Sequence, residues 1–360
     1  MLIVCYLFIH IAFAQIPTDN PNTNDPHWQL KWKDDFNSFD NIKWLKAHYC
    51  DHGDCERVNE PQLHLEENVW VADSNLVIKI ANDGANCPPC GTYTVETWAC
   101  GQCHPGWHYY TSGWAETKYD YCPQFGYIEA KIKLPYHTGY YHHAFWTWAR
   151  EGSTNQAEID IFEMIGTLPP NTVTTNIHTC YPNPKKYPNP EDDPCKENYF
   201  QEQILPGFNY TDWHTYAIEW NSKKITWFVD GKTIRTLNNH NIIDHVRIIL
   251  GSGIKNAPQA PPFVDYWYVD YVKVYDLKYD CANNASITNT TQLANYDYKV
   301  KNSITLSGAN TIQAGDNVCL RAVNSIELLD GFEVPPGAEL YLDNTPCDKP
   351  NTSINKKLQE

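Results

Sequence analysis

Beyond residues 1–14 the chain has no apolar run approaching the roughly 20 residues that a membrane-spanning helix needs, so no membrane span is expected. It also has little positive charge. Only 27 Lys and Arg stand against 43 Asp and Glu, for a formal net charge of −16. A balance of that sign turns the chain away from nucleic acid and anionic membranes, and weakly from densely sulfated polysaccharides. No long stretch repeats its apolar residues at helical period. Short alternating segments separated by Asn, Asp, Gly and Pro recur instead, from Leu30-Lys31-Trp32-Lys33-Asp34-Asp35-Phe36 through Leu76-Val77-Ile78-Lys79-Ile80 to Tyr275. That pattern predicts an all-β sandwich. The N-terminal apolar run Leu2 to Ile9 ends in Ala12-Phe13-Ala14 and reads as a secretory signal cleaved after Ala14, although the basic residues that usually open such a signal are missing.

Cysteines and aromatics are abundant. Without Cys5, which falls in the signal, the thirteen cysteines become twelve, an even number in an exported chain, and disulfides are the default reading. Cys87-Pro-Pro-Cys90 and Cys100-Gly-Gln-Cys103 could instead hold zinc, and Cys100 to His104 is also a c-type haem attachment pattern. Disulfides rank ahead of zinc, and zinc ahead of haem, because Cys50, Cys55 and Cys122 offer partners nearby and no helical haem domain surrounds His104. Thirteen Trp and 24 Tyr supply flat apolar faces suited to a β core and also to stacking on pyranose rings.

The stretch that carries chemistry is Ala157-Glu158-Ile159-Asp160-Ile161-Phe162-Glu163-Met164. On a strand, Glu158 and Asp160 share one face, whereas simple alternation sends Glu163 to the other. One β-bulge between Asp160 and Glu163 returns Glu163 to the face of Glu158. The outer carboxylates then stand about 13 Å apart at Cα, at ~3.3 Å per residue, and their side chains must lean inward. A pair of carboxyl groups about 5–5.5 Å apart is what a retaining glycosidase uses. Alone, the spacing fits an acidic solvent face better than a catalytic one.

The flanks favour catalysis. Phe125-Gly126-Tyr127-Ile128-Glu129-Ala130-Lys131-Ile132-Lys133-Leu134-Pro135 and Ala144-Phe145-Trp146-Thr147-Trp148 lie upstream. Trp213 to Trp220, Trp227-Phe228-Val229-Asp230-Gly231 and Val269 to Tyr275 follow downstream. In this order these segments, over roughly residues 29–277, resemble the catalytic domain of glycoside hydrolase family 16, the laminarinase, lichenase, agarase and carrageenase group. The resemblance implies a β-jelly-roll sandwich with a concave substrate cleft. It makes Glu158 the nucleophile, Glu163 the acid/base and Asp160 the residue that orients and tunes the nucleophile. It also implies a sugar platform at Trp146, in preference to Trp148, a substrate contact at His178, and Asp270 as a ligand of a structural calcium. No cofactor is required. At Trp114, also placed at the substrate, the sequence departs from the Arg common in laminarinases, which weakens the assignment of the polysaccharide.

The expected organisation is a signal at 1–14, a flexible leader at 15–27, the catalytic sandwich at 28–278, a linker at 279–300, a C-terminal repeat module at 301–347 and a tail at 348–360. Within the sandwich, the Cys-, Trp- and Tyr-rich stretch from Asn82 to Tyr121 reads as a disulfide-pinned wall of the cleft, and Tyr181 to Phe200 as a second clamped loop. In the module, Asn302-Ser303-Ile304-Thr305-Leu306 recurs as Asn324-Ser325-Ile326-Glu327-Leu328, a period of 22 residues that suggests a small β-solenoid-like stack, stapled through Cys281, Cys319 or Cys347. It is similar to the short repeats on secreted bacterial hydrolases. The leading function is a secreted or surface-attached monomer that cleaves β-1,3- or mixed β-1,3/1,4-glucan internally with retention. Alternatives are an agarase- or carrageenase-type galactan hydrolase, a transglycosylase and, from another class, a glucan-binding protein without turnover. The presence of both Glu158 and Glu163 speaks against the last.

Overall fold

The computed structural model describes residues 28–46, 62–87, 106–136, 141–149, 157–166, 168–179, 199–254, 263–315 and 317–349. The expected signal and leader lie outside the described residues, as do Cys50, Cys55, Cys90, Cys100, Cys103, Cys180 and Cys195. The chain divides into two compact units, one built on Lys31–Asp230 with Ile234–Val274, the other on Tyr275–Lys349.

Alternating segments pair into two large sheets. One has seven antiparallel strands in the order Gln201–Ile204, Thr172–His178, Glu158–Ile165, Tyr141–Ala149, Val246–Ile254, Trp114–Thr117 and Trp44–Lys46. The other has ten strands, with His214–Trp220, Gly126–Lys133 and Val264–Leu277 side by side at its centre. Because side chains of a strand alternate in direction, each sheet gives one face to a common core. Phe145, Ile159, Ile177, Ile248 and Leu250 from the first sheet join Ile128, Ile132, Ile218, Trp227 and Trp267 from the second.

The strand Glu158–Ile165 carries the irregularity that its sequence calls for. Phe145 stands opposite Phe162, but Trp146, the next residue along, stands opposite Asp160, so Ile161 is the additional residue. Ile161 and Phe162 both join the core. The Phe162 ring packs edge-on to Tyr216 at 4.7 Å and Phe145 at 6.1 Å, and full burial of such a ring contributes about 2–3 kcal/mol. From the opposite sheet, Trp227 donates its Nε1–H to the Asp160 carbonyl at 2.9 Å.

The second unit is a parallel stack. Ser303, Ile304 and Leu306 stand beside Ser325, Ile326 and Leu328, and Asn317 to Ala322 beside Glu339 to Asn344, so the 22-residue period of the sequence becomes one coil of structure. Ile287, Ile304, Leu306, Ile312 and Leu320 fill its interior. Gly331, at φ +95°, turns where a Cβ would meet the Gly308 carbonyl oxygen at 2.6 Å, so only glycine lets the two turns stack. One boundary needs correction. Residues 279–300, expected as a linker, carry the strands Tyr279–Asp280 and Ala285–Ile287, both paired in parallel with Val300–Leu306, and the short helix Thr290–Ala294 capped by Asn289. They form an earlier coil. Its partners lie 21 positions apart at Tyr279 with Val300 and 19 at Ala285 with Ile304, so a search at 22 passes over it.

A disulfide joins Cys281 to Cys347 across 66 positions, and Cys319 is buried. Chain-entropy reasoning for a loop of that size gives about 4 kcal/mol, so replacing both cysteines by Ser should lower the stability of this unit by about 2–4 kcal/mol in denaturant titration. In the sandwich, Trp227→Phe keeps an aromatic ring but removes the indole N–H given to the Asp160 carbonyl and leaves a small cavity. It should cost about 1–3 kcal/mol by the same measurement.

Candidate active site

The bulge decides which residues share the face of the seven-stranded sheet turned away from the core. Across the strand pair, Trp148 stands opposite Glu158, Trp146 opposite Asp160 and Ala144 opposite Glu163. These are successive same-face positions on Tyr141–Ala149, so the three acids come up on one surface at even steps. On the other flank Glu158 is level with His178 and Asp160 with Asn176. All three carboxylates are nearly enclosed, with relative exposures of 7% for Glu158, 1% for Asp160 and 8% for Glu163.

Like charges crowded at such low exposure are unfavourable unless protons or cationic groups share the site. Two histidines stand beside them. His178 Nε2 lies 3.7 Å from both Glu158 Oε1 and Asp160 Oδ2, and Asn176 Nδ2 is 3.0 Å from the same nitrogen. His142 Nε2 lies 2.9 Å from Glu163 Oε1, an ion-pair contact that is not aimed for a straight hydrogen bond. The donor atoms of Glu158, Asp160 and His178 all fall within 4.8 Å of one another. Calcium prefers six to eight oxygens, so a set of two carboxylates and an imidazole suits proton chemistry better.

An apolar cluster separate from the main core adjoins the acids. Trp114, Ala144, Trp146 and Ile249 form it, with Trp148 at its margin. Trp146 meets Trp114 at 5.5 Å and Trp148 at 5.9 Å, both edge-on. Gly251 lies beneath Trp114, where a Cβ would come within 2.8 Å of the indole. Trp114 donates Nε1–H to Glu116 Oε2 at 3.1 Å, and Glu116 Oε1 accepts from Arg247 at 2.9 Å. Trp114 and Trp146 are themselves buried, whereas Trp148 is half-buried.

The strands therefore bring Glu158, Asp160, Glu163, Trp146, Trp114 and His178 to one face. Asp270 is elsewhere, on Val264–Leu277 of the ten-stranded sheet, where its Oδ2 accepts from Lys131 Nζ at 2.7 Å. Sequence reasoning passed over His142, Asn176 and the Glu116–Arg247 pair. His142 has the parity of Ala144, Trp146 and Trp148, which was the available signal, but its partner depends on a register that parity does not give.

A family model described as Glycosyl hydrolases family 16 matches residues 64–248. Clotting factor G alpha subunit of Tachypleus tridentatus is 25% identical over 327 residues, which cover 84% of this chain and 41% of that protein. A glucan endo-1,3-beta-glucosidase of Niallia circulans is 27% identical over 250 residues, 64% of this chain and 32% of its own length. The chain thus spans less than half the length of these curated relatives. Among solved structures, the catalytic domain of an endo-1,3-beta-glucanase (laminarinase) from Thermotoga petrophila RKU-1 superposes with a TM-score of 0.55 at 22% identity, over 70% of this chain and 98% of that one, a likeness of fold. The family model ends before the parallel stack, so that unit is described by its geometry alone. Since the matched region takes in 185 of the 360 residues, the bulged acidic strand among them, the chain belongs to glycosyl hydrolases family 16.

Proposed function

We propose that this protein is an endo-acting retaining glycoside hydrolase of β-1,3- or mixed β-1,3/1,4-glucan. The observation that carries the reading is the register of Glu158, Asp160 and Glu163 against Trp148, Trp146 and Ala144. Glu158 and Glu163 occupy the ends of one enclosed acidic row, and Asp160 sits between them. In the first step a carboxylate oxygen of Glu158 attacks the anomeric carbon. The bond to the leaving oxygen breaks as Glu163 gives that oxygen its proton, and a covalent glycosyl–enzyme results. In the second step Glu163, now a carboxylate, takes a proton from water as the water oxygen attacks the same carbon and releases Glu158.

Asp160, close to His178 on the nucleophile's side, holds the orientation of Glu158. The tryptophan cluster borders the row, and its half-buried member, Trp148, has apolar surface to offer a sugar ring. The choice of glucan rests on the endo-1,3-beta-glucosidase relative. Recognition of a glucan without turnover is the second reading, since one relative carries the name of a clotting factor rather than a hydrolase. We also propose that the chain is exported, as the run before Gln15 suggests, and that the parallel stack is an accessory module rather than part of the cleft.

Glu158→Gln and Glu163→Gln should each lower kcat/KM on a soluble β-1,3-glucan by about a thousandfold or more while leaving the circular dichroism spectrum unchanged. Azide should restore turnover to Glu163→Ala on a substrate with a good leaving group, giving a glycosyl azide of retained configuration. Near-wild-type turnover in either Gln variant would sink the assignment, and no product from the wild type with laminarin or lichenan would favour recognition. A chain ending at residue 280 should keep its activity on soluble oligosaccharide and lose, at most, attachment to insoluble polysaccharide.

A further inference from the structure

The contact between His142 and Glu163 follows from the same register that aligns the acids. His142 stands opposite Ile165, one same-face step beyond the pairing of Ala144 with Glu163. Ala144 offers only a methyl group, which leaves the diagonal from His142 to Glu163 open, and diagonal neighbours across a strand pair are within reach of a long or aromatic side chain. The imidazole takes that path, and its Nε2 reaches Glu163 Oε1 at 2.9 Å with both side chains largely enclosed, at 15% and 10% exposure. On the flanking strands the positions level with His142 are Ile165 and Gly253, neither of which ionises. The other charged groups described on this face are Asp160 and Glu158 further along, with His178 beside them, and Arg247, opposite Trp148 and already paired with Glu116. Among the described residues, His142 is thus a basic group set against Glu163, as His178 is set against the other two acids.

We propose, building on the hydrolase reading above, that His142 is a positioning residue for the acid/base, its imidazole sharing with Glu163 the single proton that the leaving glycosyl oxygen takes. Two arrangements hold that proton: a carboxyl group facing a neutral ring, or a carboxylate facing an imidazolium. They interconvert by movement across one contact. The off-line approach of the ring is common in unliganded acid/base pairs, which tighten when substrate binds. When the leaving oxygen takes the proton, Glu163 is left as a carboxylate beside a neutral imidazole, ready to deprotonate the incoming water.

The test compares wild type, His142→Gln and Glu163→Gln in kcat/KM against pH, on a β-1,3-gluco-oligosaccharide and on the dinitrophenyl glycoside of the same sugar. In His142→Gln the basic limb on the oligosaccharide should move to lower pH. The dinitrophenyl leaving group needs no proton, so the loss on that substrate should shrink to about twofold. An unmoved basic limb, or an equal loss on both substrates, would overturn the proposal. Should His142→Gln fail to fold, His142→Asn is read by the same criteria. If both fail, the wild type decides by NMR: His142 and Glu163 must titrate with shared midpoints, and independent midpoints overturn the idea. If Glu163→Gln retains turnover, the hydrolase assignment and this inference fall together; if it is inactive while His142→Gln keeps the wild-type limb, only this inference falls.

Discussion

Alternation along a strand forbids three acids spaced as Glu158, Asp160 and Glu163 from sharing a face, and the additional Ile161 lifts that prohibition. Much else depends on where the extra residue is taken up. Placed between Asp160 and Phe162, it keeps Ile161 and Phe162 in the core while Glu163 rejoins the acids. The core therefore fixes the site. Phe162 is wedged against Tyr216 and Phe145, and Trp227 grips the Asp160 carbonyl from across the sandwich, so a slip of the strand by one residue would empty a ring-sized volume and break a buried hydrogen bond.

The acidic row is an electrostatic liability that the neighbouring strands relieve. Thr172–His178 contributes His178 and Asn176 on one side, and Tyr141–Ala149 contributes His142 on the other. Each imidazole is level with the acids or diagonal to one, so the relief depends on register rather than on sequence neighbours. Further across the sheet the character changes from acidic to aromatic. Trp114, Trp146 and Trp148 meet edge to face, with Gly251 leaving space for the first of them. Trp114 bonds Glu116, and the adjacent strand closes Arg247 onto the same carboxylate.

Much of this was legible in the sequence because it depends on alternation. The all-β class, the need for a bulge before Glu163 and the 22-residue coil all follow from period, and the flanking motifs named the family. What was not legible depends on register. Parity puts His142 on the face of Ala144 and Trp146 and His143 on the core face, where it bonds Ser252 across 2.7 Å, but it does not tell which acid His142 meets. Nor did a fixed period reveal the coil at 279–300, whose offset is shorter and whose return passes through a helix. The partner of Asp270 is likewise set by register: sequence shows the carboxylate without the lysine that the fold brings to it.

The bond between Cys281 and Cys347 has a consequence for resistance to proteolysis. A protease that cuts an exposed turn between those two positions separates the chain in sequence but not in covalent connection. The two pieces stay linked, the stacked strands keep their hydrogen-bonded neighbours on either side of the cut, and an interior lined by Ile287, Ile304, Leu306 and Leu320 still holds them in register. Such a unit can be nicked and remain assembled, a property that backbone continuity alone would not provide.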